Sequence, residues 1–195
     1  MKTKPLTFLL ALTFLFLFSG SVFADDLKDA MAAHKSKDYK EAVRLYRLSA
    51  KQGNAEAQYS LGLMYDKGQG VPQDYKEAVR LYRLSAKQGN AEAQYNLGLM
   101  YEKGQVVPKD FKEAFKWSKL AADQGNASTQ NNLSYMYYKG QGVPKDYVLA
   151  HMWWNIASSN GHNGDIKFRE IIEKRMSPSQ LKKAQEMARN WKPKK

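Results

Sequence analysis

The chain has 195 residues and carries 31 Lys and Arg against 19 Asp and Glu, a formal charge of +12. It contains no cysteine, which excludes a disulfide framework, a thiol nucleophile and a thiolate metal site. The basic balance admits an acidic partner or an anionic surface.

The first 24 residues read as a signal peptide. Lys2 and Lys4 make the positive start, Leu6 to Phe18 is apolar apart from threonines, and Val22-Phe23-Ala24 suits cleavage. The apolar run falls short of the roughly 20 residues a spanning helix needs, and a retained anchor is the other reading. No cysteine follows the run, which excludes a lipoprotein modification. Without Lys2 and Lys4 the charge is +10, and the 171 residues after the signal should form one elongated domain with no membrane span. Residues 25–37 make a short amphipathic helix, with Leu27, Ala30, Met31 and His34 at helical spacing.

From Asp38 onward one unit is written repeatedly. It opens at Asp38, Asp74, Asp110 and again at Asp146, always 36 residues on, dividing the chain into 38–73, 74–109 and 110–145. The first two copies differ only at Ser60/Asn96, Asp66/Glu102, Gly70/Val106 and Gln73/Lys109. A fixed period in this range marks stacked supersecondary units rather than one globular core. Asp38, Asp74 and Asp110, each followed three residues later by glutamate, predict capping boxes at helix starts. In the second copy Tyr75, Ala78, Val79, Tyr82 and Ala86 then fall at helical spacing, and Gly89 should end the helix. Asn90 is placed to cap a second helix carrying Ala93, Leu97, Met100 and Tyr101, which should stop at Gly104. Gly62 and Gly98 lie inside the second helices, where glycine costs about 1 kcal/mol, and are read as close-approach points; Ser134 takes that place in the third copy.

Residues 146–195 begin a fourth unit with Tyr147, Ala150, Trp153, Trp154 and Ala157, then lose the repeat pattern. A short stripe of Ile166, Phe168, Ile171 and Ile172 comes next. Ser177-Pro178-Ser179-Gln180 is a strong helix start, and the last helix carries Leu181, Ala184, Met187, Ala188 and Trp191 before a basic tail at 192–195.

These units resemble the Sel1-like repeat, a longer relative of the tetratricopeptide repeat. Its A-x-x-[WLY] pattern is matched by Ala42/Leu45, Ala78/Leu81, Ala114/Trp117 and Ala150/Trp153, and its A-x-A-Q-x-x-L-G-x-M-Y-x-x-G-x-G-V segment by Ala55 through Val71. Val106 stands where the family has glycine, so that loop is expected to be strained or rerouted. The ending resembles the M-[ST]-P-x-Q…A-Q-x-[LM]-A-R-x-W closure of bacterial members of the family. The resemblance implies an all-α fold, a right-handed α-solenoid of helix–turn–helix units with capping helices at both ends. It also implies a bacterial, exported, non-catalytic protein-binding scaffold in the periplasm or secreted beyond it. A cysteine-rich branch of the same family is associated with cell-wall and β-lactam binding or hydrolysis, and this chain has no cysteine framework on which to carry that over.

Little in the sequence could carry chemistry. There is no G-x-S-x-G, no H-E-x-x-H and no phosphate loop, and His34, His151 and His162 share no metal-holding spacing; no catalytic residue, metal site or cofactor is assigned. The candidate site is therefore surface. On the tetratricopeptide register the concave face takes positions one, four and five after the motif alanine. These are Val43, Tyr46 and Arg47; Val79, Tyr82 and Arg83; Phe115, Ser118 and Lys119; His151, Trp154 and Asn155. An aromatic beside a cation every 36 residues would suit an extended or acidic protein partner. The other reading packs these tyrosines between helices. An anionic envelope surface is a second partner class, whereas the spread of the cations along the repeats argues against nucleic acid.

Overall fold

The computed structural model describes residues 26–162 and 166–194, and the proposed signal peptide lies outside them. Among the described residues there are ten helices and no strand. Helix α1 covers 26–35. After it come α2 (Tyr39–Lys51), α3 (Ala55–Lys67), α4 (Tyr75–Lys87), α5 (Ala91–Lys103), α6 (Phe111–Asp123), α7 (Ala127–Lys139), α8 (Tyr147–Ser159), α9 (Ile166–Glu173) and α10 (Pro178–Asn190). The chain divides into two compact units within α4, the first ending at Leu81 and the second beginning at Tyr82.

The helix starts arise from short polar side chains satisfying orphan amides. Asp38 accepts from the Glu41 amide at 3.2 Å, Asp74 from Lys76 and Glu77, Asp110 from Lys112 and Glu113, and Asp146 from Leu149. Asn54, Asn90 and Asn126 do the same for α3, α5 and α7. The expected capping boxes form by half. The glutamates do not reach back; Glu41 and Glu77 pair forward with Arg44 and Arg80 at 2.6 and 2.7 Å, and Glu113 with Lys116 at 3.2 Å. The reason is that the cap amide is already engaged. The N–H groups of Asp74, Asp110 and Asp146 donate to the carbonyls of Tyr65, Tyr101 and Tyr137 at 3.0–3.1 Å, and that of Asp38 to Ala33. The complete box occurs at Ser177 and Gln180, as the sequence predicts.

The motif glutamine has an equally specific use. Gln58, Gln94 and Gln130 are buried, and each Nε2 donates at 3.0–3.2 Å to the carbonyl eight residues back, Ala50, Ala86 and Ala122. Those carbonyls belong to the last turn of the preceding helix, where each accepts the N–H of Gly53, Gly89 or Gly125 at 3.0–3.1 Å and keeps a lone pair for the glutamine. The glutamine clips the two helices of each hairpin together.

In the first unit the core is Ala30, Ala42, Val43, Leu45, Tyr46, Ala57, Leu61, Met64 and Leu81. Helix α1 covers it through Ala30 and Leu27, whereas Met31 points outward and His34 lies edge-on against Tyr39 with ring centroids 5.5 Å apart. In the second unit the core gathers Leu133, Met136 and Tyr137 from α7, Met152, Trp153, Trp154 and Ile156 from α8, and Phe168 and Ile172 from α9. Helix α8 is buried almost all round, which explains why its polar-face pattern disappears. Of the α9 stripe only Phe168 and Ile172 are buried; Ile166 and Ile171 are exposed.

Gly98 is a close-approach point, as its place in α5 suggests. A Cβ there would sit 2.8 Å from Ser118 Oγ and 3.4 Å from the Ala114 carbonyl of α6. At the equivalent Ser134 the hydroxyl is put to use, donating to the Ala150 carbonyl at 2.7 Å.

Of the two expectations for the loop with Val106, strain and not rerouting is what occurs. Val106 has φ +68°, matching Gly70 at +72° and Gly142 at +71°. The left-handed region costs an L-residue roughly 1–2 kcal/mol, and a β-branched one more. Val106 is 43% exposed, so little apolar burial offsets that cost. Val106→Gly is expected to raise stability by about 1 kcal/mol in a denaturant titration, the relief of strain exceeding the extra backbone entropy of glycine. A variant less stable than the parent would show that the valine packs productively.

The basic tail is not simply solvated. The Lys194 amide donates to the Asp123 carbonyl at 2.7 Å and its ammonium pairs with Asp123 Oδ2 at 2.8 Å; Lys119 also pairs with Asp123. Trp191 meets Trp153 edge-on with centroids 5.8 Å apart.

Candidate functional site

The twelve positions of the proposed inner face do not form one accessible row. Val43, Val79 and Ser118 are buried, Tyr46 is 4% exposed and Tyr82 0%, and His151 and Trp154 are 1% and 6% exposed. Arg47 and Arg83 are exposed, and Phe115, Lys119 and Asn155 are half-buried. The tyrosine ladder is thereby corrected: Tyr46 and Tyr82 are packing residues. Burial also pushes the Tyr46 phenol above its ordinary pKa. The physical cause is packing on both sides, since Val43, Val79 and Ser118 are buried at these positions as well as the tyrosines.

What the arginines meet is not visible at short range along the chain. Arg47 donates to the Tyr65 hydroxyl at 2.7 Å and lies over that ring with Cζ 5.8 Å from its centroid. Arg83 repeats this on Tyr101, at 2.9 and 5.8 Å. The aromatic partner comes from the second helix, 18 residues on, not from the first. The signal is present as the shared 36-residue period of Arg47/Arg83 and Tyr65/Tyr101, but only the closed hairpin joins them. In the third copy Tyr137 takes the tyrosine's place and is met by Phe115, edge-on at 5.4 Å. Lys119, at the arginine's place, turns to Asp123 and lies 5.3 Å over the Trp153 ring. In the fourth, Asn155 bonds His151 Nδ1 at 2.9 Å, and His151 Nε2 lies 3.1 Å from Glu173. The predicted residues thus serve three local arrangements.

No group of three or more His, Cys, Asp or Glu among the described residues could hold a metal, and no helix there is long and apolar enough to cross a membrane.

Hairpins capped by Asp and Asn and closed by a glutamine clip at a 36-residue period define a tandem α-hairpin protein. The family model of the Sel1 repeat matches residues 34–54, 55–90, 91–126 and 127–162, and the chain belongs to that family. Its fold is that of a Sel1-type α-solenoid. The family's units start at Ala55, Ala91 and Ala127, half a hairpin out of phase with the Asp-to-Asp division. Among solved structures the chain is similar to a Sel1 repeat protein from Oxalobacter formigenes, at 36% identity and TM-score 0.68 over 70% of this chain and 56% of that one. It is also similar to a protective antigen present in uropathogenic Escherichia coli strains, displaying an SLR fold, at 33% identity and TM-score 0.50 over 77% of this chain and 40% of that one. The chain therefore spans little more than half the length of the first and two fifths of the second. No curated protein matches it.

Proposed function

We propose that this chain is a non-catalytic protein-binding scaffold, exported to the periplasm or beyond the cell, that engages acidic segments of partner proteins. The observation that carries the reading is the recurrence of an exposed arginine held on a tyrosine, Arg47 on Tyr65 and Arg83 on Tyr101. Each tyrosine fixes its guanidinium through one donor, which leaves the remaining N–H groups to meet a carboxylate. Arginine and tyrosine are the residue types that carry disproportionate energy in protein interfaces. Membership of the Sel1 repeat family supports a scaffold, and the leading 24 residues support export.

The test is capture of partners from an envelope extract with protein starting at Asp25, beside the Arg47→Glu/Arg83→Glu variant. A specific band, identified by mass spectrometry and lost in the variant, is the expected result. Binding unaffected by charge reversal overturns the arginine-based reading. Attachment to anionic envelope material that disappears by about 0.3 M NaCl would instead assign simple screened attraction.

A further inference from the structure

The second unit contains a cavity of ≈ 370 Å³ where α8, α9 and α10 converge, lined by Trp154, Asn155, Ser158, Ser159, Arg169 and Arg189 among others. Its volume falls within the roughly 300–1,000 Å³ of small-ligand sites. Asn155 and Ser159 are engaged within the chain, bonding His151 and the Asn155 carbonyl, but two other donors of the wall are not used. Trp154 is 6% exposed and its Nε1–H has no hydrogen-bond partner; Arg169 Nε is likewise buried without one. An indole N–H left unbonded in a protein interior costs about 1–3 kcal/mol, which an acceptor that reached it through a small shift of the side chains over it would recover.

The electrostatics narrow the ligand. Arg169 Nε lies 3.3 Å from Glu173 Oε1, an ion pair without hydrogen-bond alignment, and the same oxygen is shared with His151 at 3.1 Å. Arg189, exposed on α10, has no ion pair among the described residues. Two guanidiniums against one shared carboxylate leave the cavity with a single excess positive charge, suited to a monoanion. The guanidinium of Arg169 stacks over Trp154 with Cζ 5.5 Å from the ring centroid, so a group bonded to the one lies against the other. A planar fork meeting a planar two-oxygen acceptor is the geometry of arginine–carboxylate recognition.

The geometry points to a carboxylate-binding site formed by Trp154, Arg169 and Arg189, with Ser158 as a further donor. It takes either a free small carboxylic acid or a carboxylate presented by a peptide. The site does not rest on the scaffold reading, because Arg47 and Arg83 take no part in it.

The experiment tracks the four tryptophan indole N–H signals by NMR, that of Trp154 assigned through Trp154→Phe. Sodium propionate, a monoanion, is titrated in one arm, and in the other a hexapeptide of uncharged residues ending in alanine with a free C-terminal carboxylate, with its C-terminally amidated form as control. The expected result is a saturable shift confined to the Trp154 signal at about millimolar ligand or below. Arg189→Gln, which alters an exposed side chain and leaves the core intact, should weaken binding at least about tenfold. Response to propionate alone assigns a free acid, and response to the peptide but not its amidated form assigns a partner chain. The proposal is overturned if the Trp154 signal is unmoved, if all four signals drift as they do in NaCl of equal ionic strength, or if Arg189→Gln titrates like the parent. Saturation here with no partner captured by the arginine pairs would leave this site standing and remove the reading that rests on Arg47 and Arg83.

Discussion

Replacing Tyr46 and Tyr82 together with alanine should lower the melting temperature by well over about 10 °C, because buried aromatics truncated to alanine cost about 3–5 kcal/mol each. For a chain of this size one kcal/mol moves the midpoint by roughly 2–4 °C. Tyr46 is 4% exposed among Ala42, Val43, Leu61 and Met64, and Tyr82 is fully buried. Neither site can refill from solvent without placing water against aliphatic carbon. The measurement is a circular-dichroism melt of both single variants and the double. A double variant melting within about 5 °C of the parent would mean that the tyrosines are dispensable to packing.

The second large effect lies at the other end of the chain. Trp153→Ala is expected to cost about 3–5 kcal/mol, since the indole is 2% exposed at the centre of the second unit's core. Trp191→Ala should cost less, because that ring is only half-buried. The two should not add. Each ring supplies part of the other's surroundings at 5.8 Å, and an edge-on aromatic pair contributes about 0.5–1.5 kcal/mol beyond its area. The double variant should therefore be less destabilised than the sum by more than about 0.5 kcal/mol. Strict additivity in a urea titration would show that α10 ends the chain without closing the core.

The hairpins are legible in the sequence because they are built from local rules. An Asp or Asn cap, an apolar stripe and a glycine stop are each satisfied within a few residues, and the period repeats them. Long-range relations are not legible. The glutamate after Asp38, Asp74 and Asp110 has the spacing of half a capping box, but the cap amide is claimed by Ala33 five residues earlier, or by Tyr65 and Tyr101 nine residues earlier. The tail reads as solvated because its partner, Asp123, stands 71 residues away. Register assigns the inner-face positions, and register names directions on a helix but not what the next helix puts there. Hence the periodicity picks out Arg47 and Arg83 and misses their tyrosines. It picks out Trp154 too, but as part of a ladder; its unbonded N–H and the arginines beside it come from three separate helices.

The bond from each cap amide to a tyrosine nine residues back has a genetic consequence. Insertion or loss of one or two residues in the intervening loop would separate Asp74 from Tyr65, or Asp110 from Tyr101, and with it the start of the next helix. A deletion of 36 residues behaves differently, because it brings the next aspartate to the same distance from an equivalent tyrosine. Length change in such a gene is quantised: slippage by a whole copy restores every loop bond, whereas slippage by a fraction restores none. The near-identity of the first two copies, which differ at four positions, is what a recent whole-copy event leaves behind. Val106 is one of those four differences, a substitution in a young copy whose backbone still follows the shape its glycine counterparts adopt.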